Sequence, residues 1–450
     1  MRTQSVMPEP VVAREDPFAA GHLGELTRVV PADLVDAAID AAGAVEKRLR
    51  RLPARVVVYV LLAGVLFADV GYRQVLARLA AGVGAVMRVP GSSALSQAFR
   101  RVGVRPLAEL FELVRGPGAG AGRWRGLLVC AIDGTTMFVP DTPGNAEQFG
   151  RQTGRADAPG GYPMLRLLTI VACGSRTVID AVFGSYRVGE TTYAPRMLGS
   201  LKRGMLLLGD RNFASAALMA QIAGTGADLL IRTKNGRRFQ VVEHLRDGTR
   251  IALLGSLRVR VIDATITVEP GRGPGRCRTG TYRLVTTLTD PVRYPALELV
   301  GLYHQRWEIE TAFRETKSTL LDGRVLRART PAGVAQEVYA VLIAHQALRT
   351  AIADTTLASA GIEPTQLSFT IALSTARDGI CCAATALAHP VTDLIGRIGT
   401  ALLANILPAH RSRSSPRIVK RAISKHRAKG PIDRTNYTTT ITTRLHAGVP

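Results

Sequence analysis

Apolar positions in the first quarter of the chain recur at helical spacing, and the period changes abruptly near Leu127. Leu34, Ala38, Ala41 and Val45 mark a first helix, the charged run from Lys47 to Arg51 follows, and Pro53 punctuates. Further helices are predicted over 56–67, 72–81 and 94–102, the last capped by Ser92-Ser93, with Gln97, Arg100 and Arg101 exposed. Residues 72–102 read either as a helix-turn-helix or as part of a plain bundle that packs on the next domain. The pattern alone leaves both open. Residues 116–126 are rich in Gly and Arg and predict a linker. Leu127 to Ile132 is then an unbroken apolar run, a buried strand ending in Asp133-Gly134. Strand-like runs at 165–173 and 177–186 flank Gly174-Ser175, a hairpin signal. A helix at 193–202, a strand at 205–208 running into Gly209-Asp210, a helix at 213–222 and a strand at 227–232 follow. From Arg237 to Tyr294 the chain is β-rich and basic. Arg258-Val259-Arg260-Val261 alternates at period two there, and a Gly/Arg/Pro loop at 271–276 interrupts. A helix over 303–317 and Ala/Leu-rich helices over 334–405 complete the pattern.

That order of strand, hairpin, helix, strand, helix, strand predicts an α/β fold in the ribonuclease-H-like arrangement. Acidic residues stand at the ends of its first and fourth strands. The fold is expected to carry a β-rich insertion, to follow a helical N-terminal domain and to precede further helices.

Composition narrows the partners. At 46% hydrophobic, the 450 residues can build a substantial core, and the formal charge of +23 points to a polyanion. Nucleic acid comes first and an anionic membrane surface second. Residues 411–450 hold ten Lys/Arg against one Asp. Such a run is either a solvated tail or an arm making nonspecific contact with nucleic acid. The five cysteines form no CxxC pair and read as reduced thiols. The longest apolar run, from Val56 to Ala68, is short of the roughly 18 residues of a membrane span. The N-terminus lacks the apolar region of a secretory signal. These features predict a cytoplasmic, nucleoid-associated protein with no membrane partner. No GxxxxGK[ST], HExxH or GxSxG occurs, and the eight histidines show no ligand spacing, which removes support for nucleotide hydrolysis, zincin chemistry and a lipase-like elbow.

Asp133, Asp210 and Glu310 stand out by context. At about 100° per residue, Tyr303, Arg306, Glu310 and Lys317 fall within roughly 60° of one another on a helix. Leu302, Ile309, Phe313 and Leu320 form an adjacent apolar stripe. Mixed charge beside the seam suggests a cleft wall. Glu308 and Glu315 point to the far side and drop out. Asp141 and Asp157, in Pro/Gly-rich loops, and Asp180, inside a strand, are weaker rivals. Three converging carboxylates repel unless a cation compensates, and hard oxygen donors suit Mg²⁺.

Tyr303-x2-Arg306-x3-Glu310-x6-Lys317 resembles, position for position, the signature of bacterial DDE transposases of the insertion-sequence-four family. Asp133-Gly134-Thr135 and Gly209-Asp210-Arg211-x-Phe213 resemble that family's two aspartate motifs. The resemblance implies that Asp133, Asp210 and Glu310 are catalytic and bind two Mg²⁺ ions, with Mn²⁺ able to substitute. It implies that Tyr303, Arg306 and Lys317 contact DNA phosphates, with Arg211 near the metal site. The expected partners are double-stranded DNA, as element ends and as target, and a second copy in a synaptic homodimer. The expected activity is cleavage of terminal inverted repeats and joining of the 3′-OH to target DNA. A Mg²⁺-dependent nuclease without strand transfer and a catalytically idle DNA-binding repressor are the rivals. Trp307 could stack a base or pack between domains. Family members that form hairpin ends hold a flipped base with an aromatic of the insertion, for which Phe239 and Tyr282 are the candidates here. The expected domains are a flexible N-terminus (1–28), a helical DNA-binding domain (29–115), the core (116–236 and 295–350) around the insertion (237–294), C-terminal helices (351–410) and a basic tail (411–450).

Overall fold

A computed structural model describes residues 22–48, 50–82, 89–153, 159–270, 277–382, 396–408, 413–414 and 437–446. The first 21 residues, Asp157, the 271–276 loop, much of the basic tail and the stretch between the two helices of the candidate helix-turn-helix lie outside the described residues.

The apolar run at Leu127 does not stop at Ile132. It continues as β1, Leu127–Phe138, so Asp133-Gly134 lies within a strand and not at its end. Pairing explains the extension. β2 (Met164–Ala172) lies antiparallel along β1 from Cys130 through Phe138, and its backbone holds the polar half of the strand. β3 (Val178–Ser185) completes the hairpin. β4 (Met205–Gly209) and β5 (Asp228–Thr233) join parallel to β1. The order is β3-β2-β1-β4-β5.

The basic segment supplies β6 (Gln240–His244), β7 (Arg250–Leu254), β8 (Leu257–Pro270) and β9 (Arg278–Thr286). β9 pairs with β5, and the insertion thereby extends the central sheet, which reaches 12 strands among the described residues. Its outer side brings a correction. Tyr437–Leu445, inside the stretch read as a basic tail, either solvated or in contact with nucleic acid, forms β10 antiparallel to β8. Arg260 is another departure from the alternating pattern: it is fully buried. It pairs with Asp247 and donates to the Tyr294 carbonyl at 2.6 Å, tying the insertion to the segment that leads into the next helix.

Alternation along β1 divides the core. Leu128, Cys130 and Ile132 face the helical turns at 194–200 and the helix Ala216–Gly224. Val129 and Ala131 face the opposite way, toward the helices Ala296–Tyr303 and Trp307–Arg314. The N-terminal helices pack with the long helix Pro331–Leu357 in a third cluster. The helix at Ser92–Val102 starts from Gly91, and the two serines lie inside it instead of capping it. The Gly/Arg-rich linker is stitched to the β2–β3 turn, Gly116 donating to the Val178 carbonyl and Gly122 to that of Cys173, each at 2.8 Å.

Candidate active site

Strand parity gathers the two aspartates. On β1, Val129, Ala131 and Asp133 share one face, and on β4 Leu206, Leu208 and then Asp210 share the same one. The parallel register sets Ile132 beside Gly209, so Asp133 and Asp210 follow at one height. Ile309 and Ala312 pack on that face and seat the helix that carries Glu310.

That helix is not the continuous one expected. An α-helical segment ends at Tyr303, a tighter 3-10 turn spans His304–Arg306, Trp307–Arg314 is α-helical, and Glu315–Leu320 widens into a π-helix. The four signature residues nevertheless all reach the aspartate strands or one another. The Tyr303 hydroxyl donates to the Gly209 carbonyl at 3.2 Å. Arg306 donates to Asp133 Oδ2 at 3.2 Å and to Glu310 Oε1 at 3.1 Å. Lys317 Nζ donates to Thr135 Oγ1 at 3.1 Å. Thr135 lies two residues beyond Asp133 on the same strand face, a partner that parity alone could have named. π-Turns recur at functional sites, and this one begins two residues before Lys317.

Burial pushes the Asp133 carboxyl up to about 6. The Gly134 amide and Arg306 act against that rise, while the charges of Asp210 and Glu190 add to it. Burial likewise pushes the Tyr303 phenol up to about 12, so it stays a donor at neutral pH. Asp210 Oδ1 accepts the Asn212 amide at 2.8 Å. Glu310 keeps 41% of its side chain exposed. Among the described residues, no three of His, Cys, Asp and Glu are arranged to hold a metal ion. The Arg306 guanidinium stands between Asp133 and Glu310 as their counter-cation. The donor set, all hard carboxylate oxygens on one face, suits Mg²⁺ in kind.

Arg211 is exposed beside Asp210. Asp141 pairs with Arg151 at the surface, and Asp180 lies 3.4 Å from Arg115, so neither joins the site. Trp307 is 53% exposed, with Arg306 5.5 Å from its ring centroid, and does not serve as interdomain packing. Phe239 and Tyr282 each carry a stacked arginine, Arg237 at 5.2 Å and Arg232 at 3.9 Å. Glu190 went unnoticed in the sequence. It accepts from Arg166 at 2.8 Å and from Asn212 at 2.7 Å. Its only signal was a Gly-Glu step opening a helical turn.

The far side of the signature helix is held as firmly. Glu308 and Glu315 point away from Glu310 as expected, yet Glu315 is buried. Arg176, at the β2–β3 turn with φ 60°, donates to Glu308 at 2.5 Å and to Glu315 at 3.0 Å. The fully buried Arg349 donates to Glu315 through Nε at 2.8 Å, and His345 lies 3.4 Å away. Burial pushes Glu315 up, but Arg349, His345 and Arg176 outweigh it and hold the carboxyl well below its usual range. Burial holds His345 below its usual range, although Glu315 opposes this. The native state therefore keeps His345 neutral while the unfolded chain takes up a proton near pH 6.5. Stability from this source is complete above that pH and is lost as pH falls. Thermal unfolding should shift down between about pH 7 and pH 5, and His345→Gln should flatten part of that slope. His22, also held low by burial, keeps the remainder from vanishing. An unchanged slope in the variant would exclude His345 as a contributor.

Residues 20–112 match the family described as insertion element 4 transposase N-terminal, and residues 124–346 match the transposase DDE domain. The chain is 27% identical over 402 residues to the transposase InsG for insertion sequence element IS4 of Escherichia coli (strain K12), covering 86% of this chain and 90% of that one. It is 32% identical over 186 residues to the putative transposase InsZ of the same strain, covering 40% of this chain and 61% of InsZ. A piggyBac transposase solved as a synaptic complex with hairpin DNA aligns with 91% of this chain and 88% of its own, at a TM-score of 0.41 and 12% identity, too loosely to carry an argument. No described helix is long and apolar enough to cross a membrane. Both matched stretches are those of one kind of protein, and the chain belongs to the insertion-sequence-four family of DDE transposases, enzymes of DNA transposition.

Proposed function

We propose that this transposase binds the terminal inverted repeats of its insertion sequence, cleaves the DNA ends and joins the freed 3′-OH to target DNA. Its core is ribonuclease-H-like, a reading supported by the order β3-β2-β1-β4-β5 with β1, β4 and β5 parallel. The observation that carries the proposal is the parity and register that bring Asp133 and Asp210 to one height on the face covered by the Glu310 helix. Dependence on divalent metal is general to DDE transposases. Asp133, Asp210 and Glu310 would hold two Mg²⁺ ions, with Mn²⁺ able to substitute. When bound, such a pair supplies an activated oxygen nucleophile and neutralises the leaving oxygen of a phosphodiester.

The remaining roles belong to the chain itself. Asp133 must be ionised to serve as a ligand, and a carboxyl at about 6 is largely so at neutral pH. Tyr303, expected to contact a phosphate, is buried and steadies the carbonyl before Asp210. Arg306, whose fork suits phosphate as well as carboxylate, and Lys317 engage the phosphates of the cleaved strand, with Arg211 at the exposed margin. The DNA is double-stranded, and a homodimer would hold two ends in synapsis.

The test is incubation of the purified chain with a terminal-repeat duplex, a target plasmid and Mg²⁺. Cleaved ends and covalently joined product are expected. Cleavage with no joined product would favour the plain nuclease, and binding with neither would favour the repressor.

A further inference from the structure

We infer that Glu190 is a positioning residue for the aspartate pair, acting from the face of the sheet opposite the one that carries them. This rests on the reading of Asp133 and Asp210 as metal ligands. Gly134 follows Asp133 on β1 and by parity turns toward the opposite face, the one lined by Leu128, Cys130 and Ile132. Tyr193, Ala194 and Met197, just beyond Glu190, belong to that same cluster. Glu190 occupies the space Gly134 leaves. A Cβ added at Gly134 would stand 2.3 Å from its Oε1, a distance no packed carbon tolerates. The Asp-Gly pair is therefore not a turn here. Its glycine is the seat of a carboxylate.

Both oxygens of that carboxylate are committed. Oε1 accepts from Arg166 Nη1 at 2.8 Å, and Oε2 accepts from Asn212 Nδ2 at 2.7 Å. Arg166 is itself fixed on β2, where it pairs with Thr136 of β1, and it also donates to the Tyr186 carbonyl at 3.2 Å. Asn212 is held at both ends, its side chain by Glu190 and its backbone N–H by Asp210 Oδ1 at 2.8 Å. A continuous chain of contacts thus runs from Asp133-Gly134 through Glu190 and Asn212 to Asp210. β1 and β4 end their pairing at Ile132 and Gly209, so no ladder bond fixes Asp210 against Asp133. Glu190 supplies the missing link and sets how far apart the two aspartates stand.

The test uses the full chain without DNA and Mn²⁺ alone as the probe, its binding followed by electron paramagnetic resonance and calorimetry. Glu190→Ala should weaken Mn²⁺ binding roughly 10–100-fold, the usual effect of removing a group that orients metal ligands. Asn212→Ala should act in the same direction. The double variant should be no weaker than the weaker single one, because both break one chain of contacts. Glu190→Gln, which keeps the side-chain shape but only one of the two acceptors, should recover part of the loss. Should Glu190→Ala fail to fold, Asn212→Ala, in an exposed turn, carries the test alone. Wild-type Mn²⁺ affinity in Glu190→Ala, or in Asn212→Ala in that case, would overturn the inference, provided Asp133→Asn has lost it. If Asp133→Asn and Asp210→Asn bind Mn²⁺ as the wild type does, the metal reading itself falls instead.

Discussion

Glu310→Gln should abolish DNA cleavage and strand joining while leaving the fold and terminal-repeat binding intact. Glutamine keeps an oxygen that accepts from Arg306, the contact the carboxylate makes at 3.1 Å, so the helix keeps its place. What it loses is the negative charge. Metal-assisted stabilisation of a phosphodiester transition state amounts to several kcal/mol, which corresponds to a rate loss on the order of a thousandfold or more. Asp133→Asn and Asp210→Asn should behave alike. Lys317→Ala should lose less, roughly 1.5–3 kcal/mol for one charge-assisted contact, or about 10- to 100-fold. Denaturing gels of an end-labelled terminal-repeat duplex, with binding measured in parallel, separate the cases. Cleavage by Glu310→Gln within tenfold of the wild type would remove Glu310 from the metal site.

The second large effect lies on the opposite side of the same helix and concerns stability. Arg349→Met should destabilise the chain by about 3–5 kcal/mol, the usual penalty of stripping a partner from a buried charge. Glu315 would remain buried with Arg176 and His345 alone. A loss of that size is a large part of the 5–15 kcal/mol that holds a typical domain. Replacing both Arg349 and Glu315 by methionine should recover part of it, since apolar replacement of a whole buried pair is far milder than halving it. Chemical denaturation read by circular dichroism gives the comparison. A single variant within about 1 kcal/mol of the wild type would show that the cluster contributes little.

That Asp133 and Asp210 come from neighbouring strands of one sheet was legible because each follows a buried apolar run. The length of β1 was not, because Asp133-Gly134-Thr135-Thr136 carries a turn signal that only the pairing with β2 overrides. Gly134 illustrates the difficulty. Its reason is a carboxylate 56 positions later, at Glu190, and no local pattern contains it. The breaks in the signature helix were hidden because a single helical period fits all four residues whether or not the helix winds evenly. Arg260 sits in an alternating run where arginine is ordinarily exposed, and only its tertiary partners make its burial possible. β10 was overlooked for another reason. Basic residues dominated the reading of the last forty positions, although Thr438 to Thr443 is a β-branched run of the kind that favours strands.

That last strand bears on how shortened versions of this protein would behave. Ala264 to Pro270 of β8 find their outer neighbours in Thr439 to Leu445. Trimming the chain before residue 437 to remove its basic end would bare a row of backbone donors and acceptors on a long, β-branched edge. Such an edge is an invitation to another molecule's strand. A trimmed protein that clumps, or that pairs through its insertion, would therefore say nothing about the lost positive charge. The cleaner way to ask what the charge does is to neutralise the lysines and arginines between 415 and 436 and leave the strand in place.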